Sequence, residues 1–352
     1  MATPISNHTI RFRKITDFSH QLATLLEAGI PLVKAMDIAV SNDNNKKMYQ
    51  IIQNVKSKIQ AGSTLTQALR HYPHYFNNFY CNIIHIGEQT GTLVQALNEI
   101  VYYRKKFSNL SSKFINTLLY PATLVLIAGL ITFALLTFVV PRFQQLFATL
   151  GAELPLLTQI IIYSAQWIQQ HILTLFTFSV MLCTGIILYW QKSSKFSRYI
   201  LNALLKLPLI GKLIRNILLS RLFTTLATLL KAGIPLINAI ETSANSIHHW
   251  RFRLALQTIK QQVSSGMTLH QAFHSSEIFP HRVIQMIAVG EESGNLDSML
   301  LRLADHYDNE ANQTLERYGK LLEPMLIILV SFMIGGIMLA MYLPMFRLGA
   351  IM

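Results

Sequence analysis

Three stretches of this chain stay apolar long enough to cross a bilayer, and the rest repeats its apolar positions with a helical period. Residues 114–141 hold no charge and have an apolar core at 122–140; residues 154–191 hold none and are most apolar over 172–190; residues 324–346 have their core at 325–343. A spanning helix needs about 20 apolar residues, so three are predicted. Outside them, Ile51, Ile52, Val55 and Ile59, and again Val283, Ile284 and Ile287, share one helical face. No run alternates as a strand would. Breaks at Gly29/Pro31, Asn42-Asp43, Gly62-Ser63, Tyr72-Pro73 and Thr90-Gly91 divide the chain before the first span into about six helices. The sixth, from about Thr92, meets no Gly or Pro before Pro121 and should run unbroken into the membrane, as should the stretch from Asn295 to Pro324. Between the first two spans, Leu157, Ile160, Ile161 and Ile168 share a face beside Tyr163 and Trp167, which reads as a short interfacial helix or an extension of the second span.

The pattern occurs twice. Leu25-Leu26-Glu27-Ala28-Gly29-Ile30-Pro31-Leu32 returns 204 residues later as Leu229-Leu230-Lys231-Ala232-Gly233-Ile234-Pro235-Leu236, with seven of eight residues identical. This is a helix-to-helix corner: Gly29 and Gly233 end a helix in the left-handed conformation, and Pro31 and Pro235 suit the first turn of the next. At the same offset, Ala61-Gly62-Ser63-Thr64-Leu65-Thr66-Gln67-Ala68 parallels Ser265-Gly266-Met267-Thr268-Leu269-His270-Gln271-Ala272. One residue is lost before Phe279, the counterpart of Phe76. At the new offset of 203, Gly87-Glu88-Gln89-Thr90-Gly91-Thr92-Leu93 answers Gly290-Glu291-Glu292-Ser293-Gly294-Asn295-Leu296, Pro121 answers Pro324, and Pro141 answers Pro344. A unit of roughly 125 residues is duplicated, and the second span, absent from the repeat, returns the chain so that both copies lie on one side.

The boundaries expected are 1–17 for a short leading segment, 18–117 for the first helical domain, 118–141 for the first span, and 142–171 for an outer loop. They continue with 172–190 for the second span, 191–220 for a linker, 221–321 for the second domain, 322–344 for the third span and 345–352 for the tail. The fold class is an all-α membrane protein: two repeated cytoplasmic helical bundles of about six helices each, and three transmembrane helices.

At 352 residues, 51% hydrophobic and only 13% charged, the composition also points to a membrane. Residues 1–117 hold 13 Lys and Arg and residues 191–321 hold 15, whereas the loop holds only Arg142 and the tail only Arg347. Positive residues favour the cytoplasmic side, so both domains and the N-terminus belong in the cytoplasm, and the loop and C-terminus outside. The net charge of +13 is thereby explained without nucleic acid, since the basic residues are spread along the chain with no aromatic-basic alternation. Residues 1–14 lack the apolar core of a signal peptide. Cys81 and Cys183 imply no disulfide framework and read as small buried residues.

Catalytic patterns are missing. The sequence contains no GxxxxGK[ST], HExxH, CxxC or GxSxG. His71/His74 and His248/His249 stand without a carboxylate cluster and read as solvated loop histidines, so no metal and no cofactor are expected. The charge-free spans give an ion pathway nothing to run on. Ser331/Gly335 and Gly336/Ala340 are small residues four apart, suited to close helix packing. The repeated Gly-Glu-x-x-Gly reads as a tight turn between the fifth and sixth helices, with Thr90 or Ser293 capping the sixth, and as a place where Glu88 and Glu291 could touch a partner.

The two sixth helices differ in charge. Residues 88–113 carry Glu88 and Glu99 against Arg104, Lys105, Lys106 and Lys113, a net of +2; residues 291–316 carry Glu291, Glu292, Asp297, Asp305, Asp308, Glu310 and Glu316 against Arg302, a net of −6. Asp297, Asp305, Asp308 and Glu316 share a helical face, with Lys105 aligned to Asp308 and Lys113 to Glu316. Either the basic helix favours anionic headgroups while the acidic one is solvated, or the two faces recognise each other, within a chain or between chains.

These residues resemble a known family. Two helical domains built on LATLL-x-AGIPL, AGSTLTQAL and GE-x-x-G, Tyr120-Pro121 opening the first span, Glu323-Pro324 opening the third, and the ending Ala340-Met341-Tyr342-Leu343-Pro344-Met345-Phe346 are similar to the type II secretion F and type IV pilus C inner-membrane platform proteins. The resemblance covers residue 15 or so to the end and departs at the start, where only some 17 residues precede the first repeat. It implies a non-enzymatic platform in the bacterial inner membrane. A cytoplasmic hexameric ATPase would work against its cytoplasmic domains, and pilin or pseudopilin subunits would be moved into a growing fibre. Other inner-membrane assembly proteins, membrane lipids and further copies of the chain are the remaining expected partners. The alternatives are a membrane subunit of an ATPase-coupled transporter and a static scaffold.

Overall fold

The structure, a computed structural model, describes residues 4–41, 46–142, 208–247 and 249–349, together with 145, 156, 158–164, 167, 170–171, 174, 177–178, 181–182 and 184–185. Every regular element among them is helical. The first copy contributes α1 (Pro4–Glu27), α2 (Leu32–Ser41), α3 (Lys46–Gln60), α4 (Leu65–Arg70), α5 (Asn78–Thr90) and α6 (Leu93–Ala134). The second contributes α7 (Pro208–Lys231), α8 (Leu236–Ser246), α9 (Trp250–Ser264), α10 (Leu269–His274), α11 (His281–Glu292) and α12 (Leu296–Gly349). The chain divides into two compact units: Met1–Ser112 with Ala203–Asn312, and Lys113–Asn202 with Gln313–Met352. The break expected at Asn42-Asp43 and most of residues 142–207, including Gly151, Cys183 and most of the second predicted span, lie outside the described residues.

In the first unit each helix packs on its sequence neighbour, because the corners are short and geometrically fixed. Gly29 has φ 80° and Gly233 φ 83°. At the first corner the Ile30 N–H donates to Leu25 O (3.1 Å) and the Gly29 N–H to Leu26 O (3.0 Å); Ile234 and Gly233 do the same to Leu229 (3.0 Å) and Leu230 (2.9 Å). This pair of bonds satisfies the carbonyls that a helix end leaves open. The proline that follows sits one residue earlier than the first helical turn, with Pro235 at the N-cap of α8. From α1, Ile15, Phe18 and Leu22 point inward to meet Ile52 and Val55 of α3, Tyr80, Ile83 and Ile84 of α5, and Leu97 and Ile100 of α6. The second copy repeats this with Leu219, Leu222 and Leu226, then Leu256 and Ile259, Val283 and Ile287, and Leu300 and Leu303, and the two cores merge into one buried cluster.

The second unit takes the ends of α6 and α12. Both helices continue through the prolines: α6 passes Pro121, and α12 passes Pro324 and Pro344. A proline inside a helix in water costs about 3 kcal/mol, but it is tolerated in a membrane span where neighbours re-satisfy the freed carbonyl. Before Pro141, α6 changes to a π turn at Leu135–Val139, in which the Val140 N–H reaches back to Leu135 O. The helices come close at Gly319, where a Cβ would lie 2.6 Å from Thr117 Cγ2. Next to it the Tyr120 hydroxyl donates to Glu323 Oε1 (3.2 Å), so two counterpart positions of the repeat touch. Of the small residues expected to pack, Gly335 and Gly336 have open space where a Cβ would go. Ala340 is buried and its carbonyl accepts the Thr158 hydroxyl (2.5 Å), beside a cluster of Leu136, Val140, Ile162 and Ile337.

Three helices among the described residues are long and apolar enough to cross a membrane: Ile115–Arg142, Ile210–Lys231 and Leu296–Leu343. Their most apolar windows are 17%, 67% and 11% buried inside the protein, respectively. The first and last therefore present apolar side chains such as Leu126 and Phe332 outward, as lipid requires. Ile210–Lys231 instead has most of its apolar window buried inside the protein.

The glycines predict distinct costs. Gly29→Ala has free space and only the left-handed backbone to oppose it, so it should cost about 1 kcal/mol. Gly87→Val should cost more, because even a Cβ there would lie 2.6 Å from Ala96 Cβ and 3.2 Å from Leu93 Cα. Thermal unfolding of the detergent-solubilised chain should place wild type above Gly29→Ala and Gly29→Ala above Gly87→Val.

Candidate functional site

The two most repeated motifs bind each other. α4 and α10 are six residues each, too short to persist alone, and their first N–H groups have no partner inside the helix. Glu88 supplies one from the end of α5: Oε1 accepts the Leu65 N–H (2.6 Å), and Oε2 accepts the Thr66 N–H (3.2 Å) and hydroxyl (2.8 Å). Glu291, from α11, does the same for α10, taking the Leu269 N–H at Oε1 (2.7 Å) and the His270 N–H at Oε2 (3.2 Å), while His270 Nδ1 lies 2.8 Å from Oε2. A carboxylate at a helix N-terminus is favoured by charge as well as by geometry. α4 adds a capping box of its own between Thr64 and Gln67, which Thr268 and Gln271 do not repeat.

Each glycine of the motif has a separate task. Gly87 and Gly290 allow α5 and α11 to press on the helix that follows; a Cβ on Gly290 would lie 3.1 Å from Leu296 Cα. Gly91 and Gly294 turn the chain at φ 72° and 70°. The cap expected from Thr90 or Ser293 is not made. Thr90 lies in the last turn of α5 with its hydroxyl donating to Ile86 O (2.8 Å), and Ser293 is the C-cap of α11, because the next helices begin only at Leu93 and Leu296.

Burial pushes the Glu291 carboxyl up, but the Leu269 N–H, the His270 ring and the His270 N–H together hold it below the usual carboxylate range. Cys81 is buried and its thiol is pushed up by desolvation to about 11, so it is not poised to react. Among the described residues no three His, Cys, Asp or Glu side chains form a group able to hold a metal. His249, expected to be solvated, is buried against Phe252, and burial followed by the charge of Arg251 holds its imidazole below its ordinary value. His248 lies outside the described residues.

One ion pair between the two sixth helices joins Lys106 Nζ to Asp305 (2.7 Å), Lys106 being the neighbour of the Lys105 that the sequence singles out. Lys105, Lys113 and Glu316 are exposed, and Asp308 is half-buried and accepts from Asn312 Nδ2 (3.3 Å). Asp297 stands in the first turn of α12, close enough for its charge to raise the pKa of Lys231.

A larger contact, which sequence reasoning missed, joins the two copies. α5 packs on α8, where Asn82 Nδ2 donates to Thr242 Oγ1 (3.1 Å), and Ile86 Cγ2 lies 3.8 Å from where a Cβ on Gly233 would be. Lys231 Nζ pairs with Glu99 (2.5 Å), and that hydrogen bond first, then the Glu99 charge against partial desolvation, raises the pKa of the Lys231 ammonium. Further along, Tyr103 Oη lies 3.3 Å from Thr225 Oγ1, and the Arg221 guanidinium stands 5.1 Å from the centre of the Phe107 ring. The signal was present in the sequence. Residue 27/231 is the single difference in the repeated octapeptide, Glu in one copy and Lys in the other.

A duplicated helical protein with apolar spans, whose most repeated charged residues serve as internal helix caps, is the class these features define. The chain matches the family described as type II secretion system (T2SS), protein F, twice, over residues 18–141 and 222–344, and it belongs to that family. It is 34% identical to a type IV pilus assembly protein PilC of Pseudomonas aeruginosa over 337 residues, 94% of this chain and 89% of the relative. A protein of the same name from Myxococcus xanthus is 31% identical over 96% of this chain and 81% of its own length. A type II secretion system protein F of Xanthomonas campestris pv. campestris is 31% identical over 95% of this chain and 82% of its own.

The clasp should be sensitive to acid. Because the folded Glu291 carboxyl lies below its unfolded value, its contribution is complete above the unfolded range, about 4.3, and is lost as pH falls through the folded value. Glu291→Gln should lose roughly 1–2 kcal/mol at neutral pH, with faster amide exchange at Leu269 and His270. The gap between wild type and variant in unfolding temperature should close as pH drops below about 4; a gap independent of pH would contradict the clasp.

Proposed function

We propose that this chain is an inner-membrane platform on which pilin-like subunits are assembled into a fibre, for type IV pilus biogenesis or type II secretion, and that it performs no catalysis itself. Its membership in the T2SS protein F family carries the reading, and relatives named for pilus assembly and for secretion both align over nearly the whole chain. In this reading the two helical copies lie in the cytoplasm, where a hexameric ATPase pushes on them. The loop at 142–171 and the tail at 345–352 lie in the periplasm, joined by spans at 118–141, 172–190 and 322–344. The Lys and Arg distribution supports this orientation.

The helices suggest how force would travel. α6 and α12 are each one helix reaching from the packed copies into the apolar segments, which in this reading is the path that a displacement of a copy would take. The exposed Lys105, Lys113 and Glu316, with Asp308, belong in this reading to surfaces offered to lipid headgroups and to the other assembly proteins. An ATPase-coupled transporter is disfavoured because the apolar cores of the described spans, residues 122–140 and 325–343, carry no charged side chain to line a path.

Deleting the gene should abolish surface fibres or secretion while pilin and ATPase remain present, and the intact chain supplied in trans should restore them. Single cysteines at Gln60 and Gly266 should react with an impermeant reagent only after the inner membrane is opened, and one at Gly151 once the outer membrane is opened. Labelling of residue 60 from the periplasm would reverse the orientation.

A further inference from the structure

The contact between the copies uses two different surfaces. The first copy offers α5 and the start of α6; the second offers the α7–α8 corner and α8. Because the copies share a fold, each also carries the surface it does not use. The unused pair is α11 with the start of α12, and the α1–α2 corner with α2.

Residue by residue, these unused surfaces answer the buried ones. Ile86 corresponds to Val289, which is 52% exposed, and Gly233 corresponds to Gly29, exposed at its corner. Asn82 and Thr242 correspond to Gln285 and Ile38, both exposed. Glu99 corresponds to Arg302, and Lys231 to Glu27. Both charges of the internal ion pair have changed sign, so the unused faces are again complementary. Had one sign changed alone, like charges would oppose each other. Among the described residues neither Glu27 nor Arg302 has an ion-pair partner, and both are exposed.

We infer that the surface of Val289 and Arg302 on one chain docks on the Glu27–Gly29 corner of a second copy of the same chain, head to tail, repeating the internal contact with its ion pair reversed. Such a heterologous contact leaves a free face at each end of any chain series, so it propagates until it closes. Chains sharing one membrane cannot translate along its normal, so the series stays in the membrane plane and closes into a ring where each contact turns the next chain. The contact is confined to the corner and α11. Beyond it, Phe107 and Arg221 are answered by Glu310 and Asp17, which would not attract each other.

The test uses the full chain in membranes, with Cys81→Ala and Cys183→Ala as background and a short thiol-to-thiol crosslinker. A chain carrying both Ile38→Cys and Gln285→Cys should give a ladder of multimers. Two chains carrying one change each should crosslink only when co-expressed. Glu27→Arg or Arg302→Glu alone should lower the yield by roughly fivefold, the scale of exchanging an exposed attraction for a repulsion, and the two together should restore it. Three results would overturn the inference: no ladder, efficient dimers from either single-cysteine chain alone, or a yield indifferent to the charge changes. Fibre assembly is not the readout, so the outcome is independent of the platform reading.

Discussion

Two copies of one helical fold on one chain have to bury surface against each other, and here they do it through unlike faces. The central contact is α5 of the first copy against the Gly233 corner of the second, with Glu99 closing on Lys231 at its edge. Much else depends on this choice. The apolar side chains of α7 are covered, so a helix apolar enough to cross a membrane stays in the packed core. The two cores become one cluster, so neither copy is a separate folding unit in the packed state. The ion pair, with the Lys231 side chain still 57% exposed, contributes little energy and acts mainly on partner choice.

Duplication kept the skeleton and released the surfaces. Left-handed glycines, the glutamate clasp and the inward apolar positions are the same in both copies because each performs an intrachain task that has not changed. Elsewhere the copies part. Arg104 is buried in the first copy, where burial lowers its guanidinium to about 10, still charged at neutral pH; it donates to Phe12 O (2.8 Å) and Thr16 Oγ1 (2.9 Å) and lies over the Phe12 ring. Its counterpart Tyr307 instead stacks on Phe223. Thr66 gives way to His270 in the clasp, and Glu27 to Lys231 at the corner.

The parts legible in the sequence were those set by local chemistry. Gly29 and Gly62 announce left-handed turns, apolar period announces helices, and a constant offset announces the repeat, because each depends on residues close together in the chain. What escaped depends on distance. Glu88 reaches α4 across more than twenty residues, and nothing in Gly-Glu-x-x-Gly says where its carboxylate will point. The helix cap falls two residues later than Thr90, because α5 itself runs up to Thr90 and Gly91 turns the chain before α6 begins at Leu93. The spacing of Ser331/Gly335 and Gly336/Ala340 gives no hint of Gly319, since only packing against Thr117 distinguishes that glycine from Gly335 and Gly336. The unbroken helix expected from Asn295 to Pro324 is present, and α12 passes that proline as well, as helices in lipid can.

The joining of the two copies through unlike faces is what the rest of the packed unit depends on. The most direct measurement is intramolecular crosslinking of Asn82→Cys with Thr242→Cys, two positions whose side chains hydrogen-bond at 3.1 Å, in the solubilised chain at high dilution. The account predicts a crosslinked monomer that migrates faster than the open chain, weakened by Lys231→Glu and recovered by adding Glu99→Lys. A chain that forms no internal crosslink, or that crosslinks only to other chains, would contradict it.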